Sequence, residues 1–344
     1  MKNTLKLGIL GAGGFTGQEL IRLLSRHPGA NLQYLTSSEY AGKNLGEVFP
    51  ALATPAARDL TFAMHPQQLS DLPELDAIFL ATPDDVSLKW APLFVQKGIR
   101  VIDIAGAFRL KNIEDFKSYY GLEHNAPAAL AEAVYGMPET SRAAIKTAKL
   151  VANPGCYPTA ALLPLYVYRD LIDFTKPVII DAKSGTSGAG GRKEKDGLGY
   201  STVYENFRAY KAAKHQHAPE IAQQLGVFAG GRVKLRFTPY LLPMYRGILS
   251  TAYVTPKAGK APEDFTQAAA AVREPFLRFK ATVDQIELKS VQHTNFCDFS
   301  HLFDAETGVV EIVSAIDNLM KGAAGQAVQN LNLMFGFEET TGVY

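Results

Sequence analysis

The chain has 344 residues, 47% of them hydrophobic and 20% charged, with a formal net charge of +1. This length allows two domains with cores of their own, and the composition is that of an ordinary soluble protein. The near-neutral charge argues against a nucleic-acid surface or a membrane-binding patch. Its two cysteines exclude a disulfide framework and favour a reducing compartment. Because the N-terminus leads straight into a predicted strand, with no signal or transit peptide, we expect a cytoplasmic protein.

The first half of the chain predicts alternating strands and helices. Apolar runs predict buried strands at residues 5–10, 32–36, 76–81 and 100–104. Apolar residues at helical spacing predict helices at residues 16–25 and about 85–97. This alternation is typical of parallel βαβ units, so the fold class is α/β with a doubly wound, Rossmann-type parallel sheet.

In the second half of the chain, the predicted strands are linked largely without intervening helices. Strands are predicted at residues 178–182, 233–237, 247–254 and 309–314, and the main helical interval is 262–279. The pattern predicts an α+β domain with a mixed or antiparallel sheet. A last helix is predicted at about 321–335, with small residues at its start that permit close helix contact. We therefore expect one domain at 1–153, completed by the C-terminal segment 318–344, and a second domain at 154–317.

A glycine-rich loop follows the first predicted strand and opens the first predicted helix. There, glycines let the backbone turn tightly and approach a pyrophosphate at the helix N-terminus. The spacing departs from the strict G-x-G-x-x-G pattern, so the position of the loop carries the prediction of a dinucleotide site. The residues of this loop are Gly11, Gly13, Gly14, Phe15, Thr16 and Gly17.

The end of the second predicted strand bears on the choice of dinucleotide. Ser37 and Ser38, with Lys43 beyond them, would suit the 2′-phosphate of NADP. Glu39 leaves NAD open, since it would grip the ribose diol if the strand were one residue longer. We favour NADP.

Cys156 is the most informative residue of the chain. A strand-like run leads into Pro-Gly at 154–155, which forces a turn and presents the cysteine at the start of a helix predicted at 159–168. Unpaired N–H groups and the helix dipole would stabilise a thiolate there, and a thiolate is a strong nucleophile. The alternative is a small buried hydrophobe, and we interpret Cys297 in that way.

Two histidines open another predicted helix. His215 and His217 precede Glu220, and an imidazole that reached Cys156 would hold the thiolate and later protonate an oxyanion. A carboxylate three positions after His217 would orient its ring. Metal binding by the two histidines is the rival interpretation, but no further ligands of suitable type stand nearby in the sequence, so we expect no metal.

Anion-binding groups are predicted at two further places. The loop at 184–190 is rich in glycine and hydroxyl residues, and its successive N–H groups suit a phosphate or carboxylate unless it is a flexible linker. Arg192 and Lys193 follow it. Arg109 comes after the predicted strand at 100–104, where substrates of open α/β sheets bind. A guanidinium there suits bidentate contact with an anion.

Together these motifs resemble those of the N-acetyl-γ-glutamyl-phosphate reductases of arginine biosynthesis, within the wider aspartate-semialdehyde dehydrogenase-like group. The resemblance spans essentially the full chain. Its most specific parts are Pro-Gly-Cys-Tyr-Pro-Thr at 154–159 and His-x-His-x-Pro-Glu at 215–220. Further matching segments are 11–17, 101–109, 135–139, 184–190, 238–249 and 317–324.

The resemblance implies NADPH-dependent reductive dephosphorylation of an acyl phosphate through a cysteine thioester. It makes Cys156 the nucleophile, His217 the acid/base, the first domain the NADP-binding domain and the second the catalytic and dimerisation domain of a homodimer or homotetramer. It adds cofactor contacts at Ser184, Gly185 and Asn318. It implies substrate contacts at Arg109, Asn153 and Arg246, with Arg109 holding the phosphate.

Two segments depart from the pattern of many relatives: Thr-Pro-Asp-Asp at 82–85 and Ala-Gly-Ala-Phe-Arg at 105–109. Both are expected beside cofactor and substrate. Three alternatives remain: an N-acetyl-α-aminoadipyl-phosphate reductase of lysine synthesis, an aspartate-semialdehyde dehydrogenase, and a non-catalytic NADP-sensing regulator. The regulator would have no reason to keep Cys156 together with His217 and Glu220.

Overall fold

A computed structural model describes residues 4–190 and 197–344. The chain divides into two compact units, one formed by the residues up to Pro154 together with Ala323–Tyr344 and the other by Gly155–Gly322. Each unit contains a sheet of seven strands among the described residues. None of the helices in these described stretches combines the length and the apolar character that a membrane crossing needs.

The first unit contains a parallel sheet in the order β3-β2-β1-β4-β5-β7-β6. Its strands are β1 (Leu5–Leu10), β2 (Ala30–Thr36), β3 (Phe62–Ala63), β4 (Ala77–Leu80), β5 (Arg100–Asp103), β6 (Val134–Tyr135) and β7 (Leu150–Ala152). Because β2 and β4 flank β1, the chain reverses its direction of winding there, as in a doubly wound sheet. The predicted Rossmann-type sheet is confirmed.

The second unit contains a mixed sheet in the order β12-β13-β14-β11-β8-β10-β9. Its strands are β8 (Val178–Ser184), β9 (Arg208–Ala209), β10 (Leu235–Leu241), β11 (Ile248–Val254), β12 (Leu277–Phe279), β13 (Cys297–Asp304) and β14 (Val309–Ile316). The β8/β10 and β12/β13 pairs are parallel and the others antiparallel. The prediction of one helical interval at 262–279 is wrong at its end, because Leu277–Phe279 pairs with β13.

Eleven α-helices are described within residues 4–190 and 197–344. They are α1 (Phe15–Leu24), α2 (Leu45–Val48), α3 (Asp84–Gln96), α4 (Ile113–Tyr120), α5 (Pro127–Glu132), α6 (Pro138–Thr147), α7 (Cys156–Val167), α8 (Tyr200–Val203), α9 (His217–Ala229), α10 (Pro262–Ala270) and α11 (Gly325–Phe335). A π-helical turn, Met320–Ala324, precedes α11.

Two helices position the groups described below. In the first unit, α11 packs on α1, α6 and β5, so the C-terminal segment completes the core around the parallel sheet. In the second unit, α7 is apolar on nearly all sides and packs on β8, β11, β13 and β14. A helix that is hydrophobic all round is held by burial. The N-terminus of α7 is therefore a fixed point of the second unit.

Candidate active site

Cys156 is the first residue of α7 and follows the N-cap Gly155, whose backbone is extended (φ −69°, ψ 157°). Its thiol is in no disulfide and is half-buried. The first turn of α7 contains no acidic residue. The helix begins three residues earlier than the predicted 159, so the thiol lies at the positive end of the helix dipole itself. That environment lowers the pKa of a cysteine.

The imidazole of His217 packs against the residue that precedes the cysteine. A Cβ added to Gly155 would lie 2.4 Å from His217 Nε2. Glycine is therefore required at position 155, because any side chain would displace the ring. His217 begins α9 and is 8% exposed, so it is largely shielded from water.

Glu220 contacts the same turn. Its Oε1 accepts the backbone N–H of Gly155 at 2.9 Å, and the side chain is fully buried. The sequence predicted that Glu220 orients the ring of His217, which stays a prediction, and the contact described here is with the backbone of Gly155. The carboxylate holds the turn that presents the thiol, so the start of α7 and the start of α9, which are distant in the chain, meet at one backbone corner of the second unit.

A row of aromatic side chains lies behind His217 that the sequence analysis missed. The hydroxyl of Tyr157 donates to the carbonyl of Tyr240 at 3.0 Å, and the hydroxyl of Tyr210 donates to that of Tyr157 at 3.1 Å. The Tyr210 hydroxyl also lies 3.2 Å from His215 Nε2. Burial raises the pKa of both Tyr157 and Tyr210 well above the ordinary value, so both keep their protons at neutral pH.

The π-helical turn contributes a further contact to the cysteine. The N–H of Gly322 donates to the carbonyl of Asp317, five residues earlier, at 3.0 Å. A Cβ on Gly322 would lie 2.8 Å from the Cβ of Cys156. The segment 317–324 was part of the sequence resemblance, but nothing in the pattern predicted that its glycine packs on the thiol-bearing residue. π-Type turns of this kind are frequent at functional sites.

In the first unit, the glycine loop has the geometry of a nucleotide cradle. Gly11 has φ +84°, and a Cβ there would lie 2.3 Å from the carbonyl oxygen of Ala81. A Cβ on Gly17 would lie 2.6 Å from the Cα of Ala12. At Gly14, the N-cap of α1, the nearest atom to such a Cβ is 3.7 Å away. The loop is therefore closed where it packs on the sheet and open at the helix N-terminus, which fits a pyrophosphate.

The end of β2 contains the residues on which the choice between NAD and NADP was argued. The strand ends at Thr36, so Glu39 is three residues beyond it. Ser37 is buried and its Oγ accepts the N–H groups of Glu39 and Tyr40, so its hydroxyl shapes the loop. Ser38 and Lys43 are exposed. Of the three residues predicted to bind the 2′-phosphate, Ser38 and Lys43 are exposed and Ser37 is buried.

Asp103, at the end of β5, is a buried acid that the sequence analysis did not single out. Its Oδ1 accepts the hydroxyl of Ser87 at 2.7 Å and the N–H of Ala105 at 3.1 Å. Its Oδ2 has no hydrogen-bonding partner among the described residues. Burial raises the pKa of Asp103 to about 7, although the hydroxyl of Ser87 and the charge of Arg109 oppose the shift.

Two of the predicted substrate ligands have structural roles in the first unit. The guanidinium of Arg109 is 6% exposed and donates to the carbonyls of Asn153 and Ile104 at 2.8 and 2.6 Å. The amide of Asn153 is fully buried, donates to the carbonyl of Ala323 and accepts from Asn330. Both ends of the Asn153 amide bind protein groups, and its contact with substrate stays a prediction.

The third predicted substrate ligand, Arg246, also binds protein groups. Its guanidinium is 5% exposed and contacts both carboxylate oxygens of Asp317, at 2.9 and 3.1 Å. Its Nη1 lies 3.0 Å from His293 Nδ1. Asp317 thus pairs with the charge of Arg246, and the contact of Arg246 with substrate stays a prediction.

In the glycine-rich loop at 184–190, backbone N–H groups that were predicted to bind an anion bind protein carbonyls. The N–H groups of Gly185, Thr186 and Ser187 donate to carbonyls of residues 244–247. The hydroxyl of Ser184 donates to the carbonyl of Gly185. Asn318, predicted to contact the cofactor, accepts from Gly247 and donates to Ser187. The predicted anion loop is thus a hydrogen-bonded corner, and Arg192 and Lys193 lie outside the described residues.

Within the described part of the chain, no group of three or more His, Cys, Asp and Glu side chains is arranged to hold a metal ion. The pairing of His215 with His217 has another explanation. The backbone N–H of His217 donates to His215 Nδ1 at 3.1 Å, which uses one nitrogen of His215 within the protein.

Fold and site together define a nicotinamide-dependent oxidoreductase with an α/β nucleotide-binding unit and a separate α+β unit. Residues 6–148 match the family model described as "Semialdehyde dehydrogenase, NAD binding domain", and residues 156–318 match "Semialdehyde dehydrogenase, dimerisation domain". The chain belongs to the semialdehyde dehydrogenase family, in the group of N-acetyl-gamma-glutamyl-phosphate reductases. The resemblance found in the sequence is confirmed.

Two curated relatives carry that group's name. The N-acetyl-gamma-glutamyl-phosphate reductase of Leptospira borgpetersenii serovar Hardjo-bovis is 45% identical over 346 aligned residues, covering 98% of this chain and 99% of the relative. That of Pelotomaculum thermopropionicum is 45% identical, covering 98% of this chain and 97% of the relative.

Solved structures share the fold at low identity. Aspartate semialdehyde dehydrogenase II from Vibrio cholerae, complexed with ASA, has a TM-score of 0.74 at 16% identity, covering 97% of this chain and 99% of that one. The NADP-bound enzyme from Candida albicans has a TM-score of 0.70 at 16% identity, with the same coverage. At this identity the likeness concerns the fold alone.

Proposed function

We propose that this chain reduces N-acetyl-γ-glutamyl phosphate to N-acetylglutamate semialdehyde and phosphate, with NADPH as the reductant, in the arginine pathway of the cytoplasm. The observation that carries the proposal is the half-buried thiol of Cys156 at the N-terminus of α7, beside an imidazole that packs on Gly155. The choice of substrate is supported by the names of the relatives at 45% identity.

In the proposed reaction, the Cys156 thiolate attacks the acyl carbon. The carbon–sulfur bond forms as the bond to phosphate breaks, and phosphate leaves with the electron pair. The helix N-terminus favours the thiolate that this step needs. A thioester suits the next step because it stays more electrophilic than an oxygen ester.

Bound reduced nicotinamide supplies the hydride that brings the acyl group to the aldehyde level. His217 holds the thiolate before attack and gives a proton to the substrate oxygen. It then takes that proton back as the carbonyl forms, the carbon–sulfur bond breaks and the thiolate is restored. Glu220 keeps the turn in place through the N–H of Gly155. The residues we propose to hold the dinucleotide are the loop 11–17 and the N-terminus of α1.

The preference for NADP rests on Ser38 and Lys43, which are exposed after β2. The strand ends too early for Glu39 to be its terminal residue, where a carboxylate would bind the ribose diol. We retain Arg109 as the candidate for binding the substrate phosphate. Because its guanidinium donates to two backbone carbonyls, the backbone would have to adjust before the guanidinium could bind the phosphate.

One assay separates the candidate functions. Phosphate-dependent reduction of NADP should be measured with N-acetylglutamate semialdehyde, N-acetyl-α-aminoadipate semialdehyde and aspartate semialdehyde. We expect the first to have the highest kcat/KM. Its margin over the aminoadipyl compound should be modest, because one methylene contributes only ~1–3 kcal/mol of discrimination. A higher value for the aminoadipyl compound would make this a lysine-pathway enzyme, and absence of turnover with all three would favour a regulator.

We further propose a homodimer formed through the second unit. Ile179, Tyr253 and Leu302 are 45%, 37% and 50% exposed and lie on one face of its sheet, in a row that crosses Glu311. Large apolar side chains aligned on an open sheet face mark an interaction surface. The family model that matches this unit is described as a dimerisation domain, which supports a second copy of this chain as the occupant. Light scattering should give twice the chain mass, and Tyr253→Asp should give the monomer; a monomeric parent would refute this.

A further inference from the structure

Two further residues, His215 and Tyr210, lie near His217 in the second unit. His215 lies with its ring centroid 4.7 Å from that of His217, and Tyr210 lies behind His215. His215 is 5% exposed. A cationic ring so close to His217 would repel the imidazolium that proton transfer requires, so the protonation state of His215 matters to the reaction.

The hydrogen bonds around His215 run in one direction. At one end, the carbonyl of Tyr240 can only accept, so the single hydroxyl hydrogen of Tyr157 is used there. Tyr210 gives its hydrogen to Tyr157, which leaves the oxygen of Tyr210 to accept. His215 Nε2, 3.2 Å away, is then the donor.

The other end of the run is also a backbone group. The N–H of His217 can only donate, and it donates to His215 Nδ1 at 3.1 Å. A neutral imidazole has one donor and one acceptor nitrogen, and both are assigned here. A second proton on His215 would have to take the place of the His217 N–H at Nδ1.

We propose that Tyr210 and His215 are positioning residues: the run from the Tyr240 carbonyl through Tyr157, Tyr210 and His215 to the His217 N–H keeps His215 neutral, protonated on Nε2. This leaves His217 as the imidazole that changes charge beside Cys156. The titratable groups recorded against His215 and His217 are the side chains of Tyr157 and Tyr210. Glu220 and Cys156 lie at Gly155, against which the ring of His217 packs. The consequence for turnover rests on the proposed function of His217, whereas the protonation state of His215 does not.

The direct test is ¹⁵N NMR of histidine-labelled full-length protein, titrated with pH, with the signals assigned by single substitutions. We expect His215 to keep the pattern of a neutral, Nε2-protonated ring through the range in which His217 titrates. In Tyr210→Phe, His215 should gain a proton at higher pH than in the parent. The added charge should move the titration of His217 to lower pH.

Kinetics give the second readout. Tyr210→Phe should lower kcat by about 3- to 10-fold with little change in KM, as expected for the loss of one buried hydrogen bond. Its pH–rate profile should shift in parallel with the NMR titration. Tyr168→Phe is the matched control, because the Tyr168 hydroxyl bonds His301 Nδ1 at 2.8 Å elsewhere in the same unit, and its profile should stay that of the parent.

A proton on His215 Nδ1 in the parent, or joint titration of His215 and His217, would overturn the inference. So would a Tyr210→Phe profile identical to that of Tyr168→Phe. Should Tyr210→Phe not fold, Tyr157→Phe removes the next link, and the tautomer measurement needs no variant. If His215 behaves as expected while the acyl phosphate is not turned over, the proposed function fails and the assignment of His215 stands.

Discussion

The two units bring polar groups together in opposite ways. In the first unit, the polar groups described above follow strands directly: the loop 11–17 follows β1, and the buried Asp103 ends β5. In the second unit, the cysteine meets partners that are distant in sequence, such as Glu220, 65 residues from Gly155. A parallel sheet gathers loops at one edge by its topology, whereas the corner at Cys156 depends on how α7 and α9 pack. The second unit should therefore be the more sensitive to single substitutions.

The largest effect is expected at the cysteine. Cys156→Ser should abolish measurable turnover and leave NADPH affinity nearly unchanged, because a serine hydroxyl is far less acidic than a thiol. Steady-state kinetics and a cofactor titration measure the two quantities. Cys297→Ser, at a buried position that begins β13, is the control and should keep most of the activity. Activity of Cys156→Ser within a few-fold of the parent would rule out the covalent route.

The next largest effect is expected at His217. His217→Asn should lower kcat by about 10²–10⁴-fold, the usual contribution of general acid–base catalysis. His215→Asn should cost much less, because His215 acts only through its neighbour. The two variants should be compared across pH at saturating substrate. The opposite ranking would reassign the acid/base role to His215.

In the first unit the sharpest test is thermodynamic. The folded-state pKa of Asp103, about 7, lies above the ordinary value of 3.8. Between these pH values the unfolded chain has lost the proton and the folded chain still holds it. Asp103 therefore makes stability fall as pH rises from about 4 to about 7.

Asp103→Asn should remove that fall, because the amide keeps an acceptor oxygen for Ser87 without a charge. Relative to the parent, the unfolding free energy of the variant should gain about 2–4 kcal/mol between pH 4 and pH 7. Urea unfolding at several pH values measures this gain. Asp76→Asn, at an exposed position, is the control. An equal pH dependence in Asp103→Asn and the parent would show that Asp103 ionises normally.

The smallest effect is expected at Lys43. Lys43→Ala should weaken NADPH binding about 2- to 5-fold and NADH binding hardly at all, since an exposed ion contact contributes at most ~1 kcal/mol. Fluorescence titration with both cofactors measures the difference. Lys89→Ala, on the exposed face of α3, should change neither affinity. Equal losses for both cofactors would show that Lys43 does not face the 2′-phosphate.

The sequence predicted the parts of the molecule that local pattern controls. Strand β1 has the predicted bounds, 5–10, because a buried apolar run is bounded by polar residues and a glycine turn. Cys156 was predicted at a helix start because Pro-Gly precedes it. Tyr210 carried no such signal, since a tyrosine acquires its role here only by packing behind His215. The prediction of one helix over 262–279 was wrong because strand pairing with β13 overrides the helical pattern after Ala270.

The protein partners of Arg109 and Arg246 could not be predicted from the sequence, for one physical reason. A sequence shows that a guanidinium is present, but it does not show which oxygen atoms the guanidinium binds in the folded protein. Arg246 binds Asp317, which lies 71 residues further along the chain, and Arg109 binds two backbone carbonyls. A buried charge needs a partner when the protein folds. Both arginines are therefore bound to protein groups before substrate binds.

The proposed reaction requires that Cys156 carry the acyl group as a thioester. The full-length protein should be mixed with N-acetyl-γ-glutamyl phosphate without reduced nicotinamide, quenched in acid and examined by peptide mass spectrometry, with released phosphate measured in parallel. We predict an N-acetylglutamyl adduct on the peptide that contains Cys156, formed together with a stoichiometric burst of phosphate. If neither the adduct nor the burst forms, in protein that turns over once NADPH is added, the reaction does not pass through a thioester on Cys156.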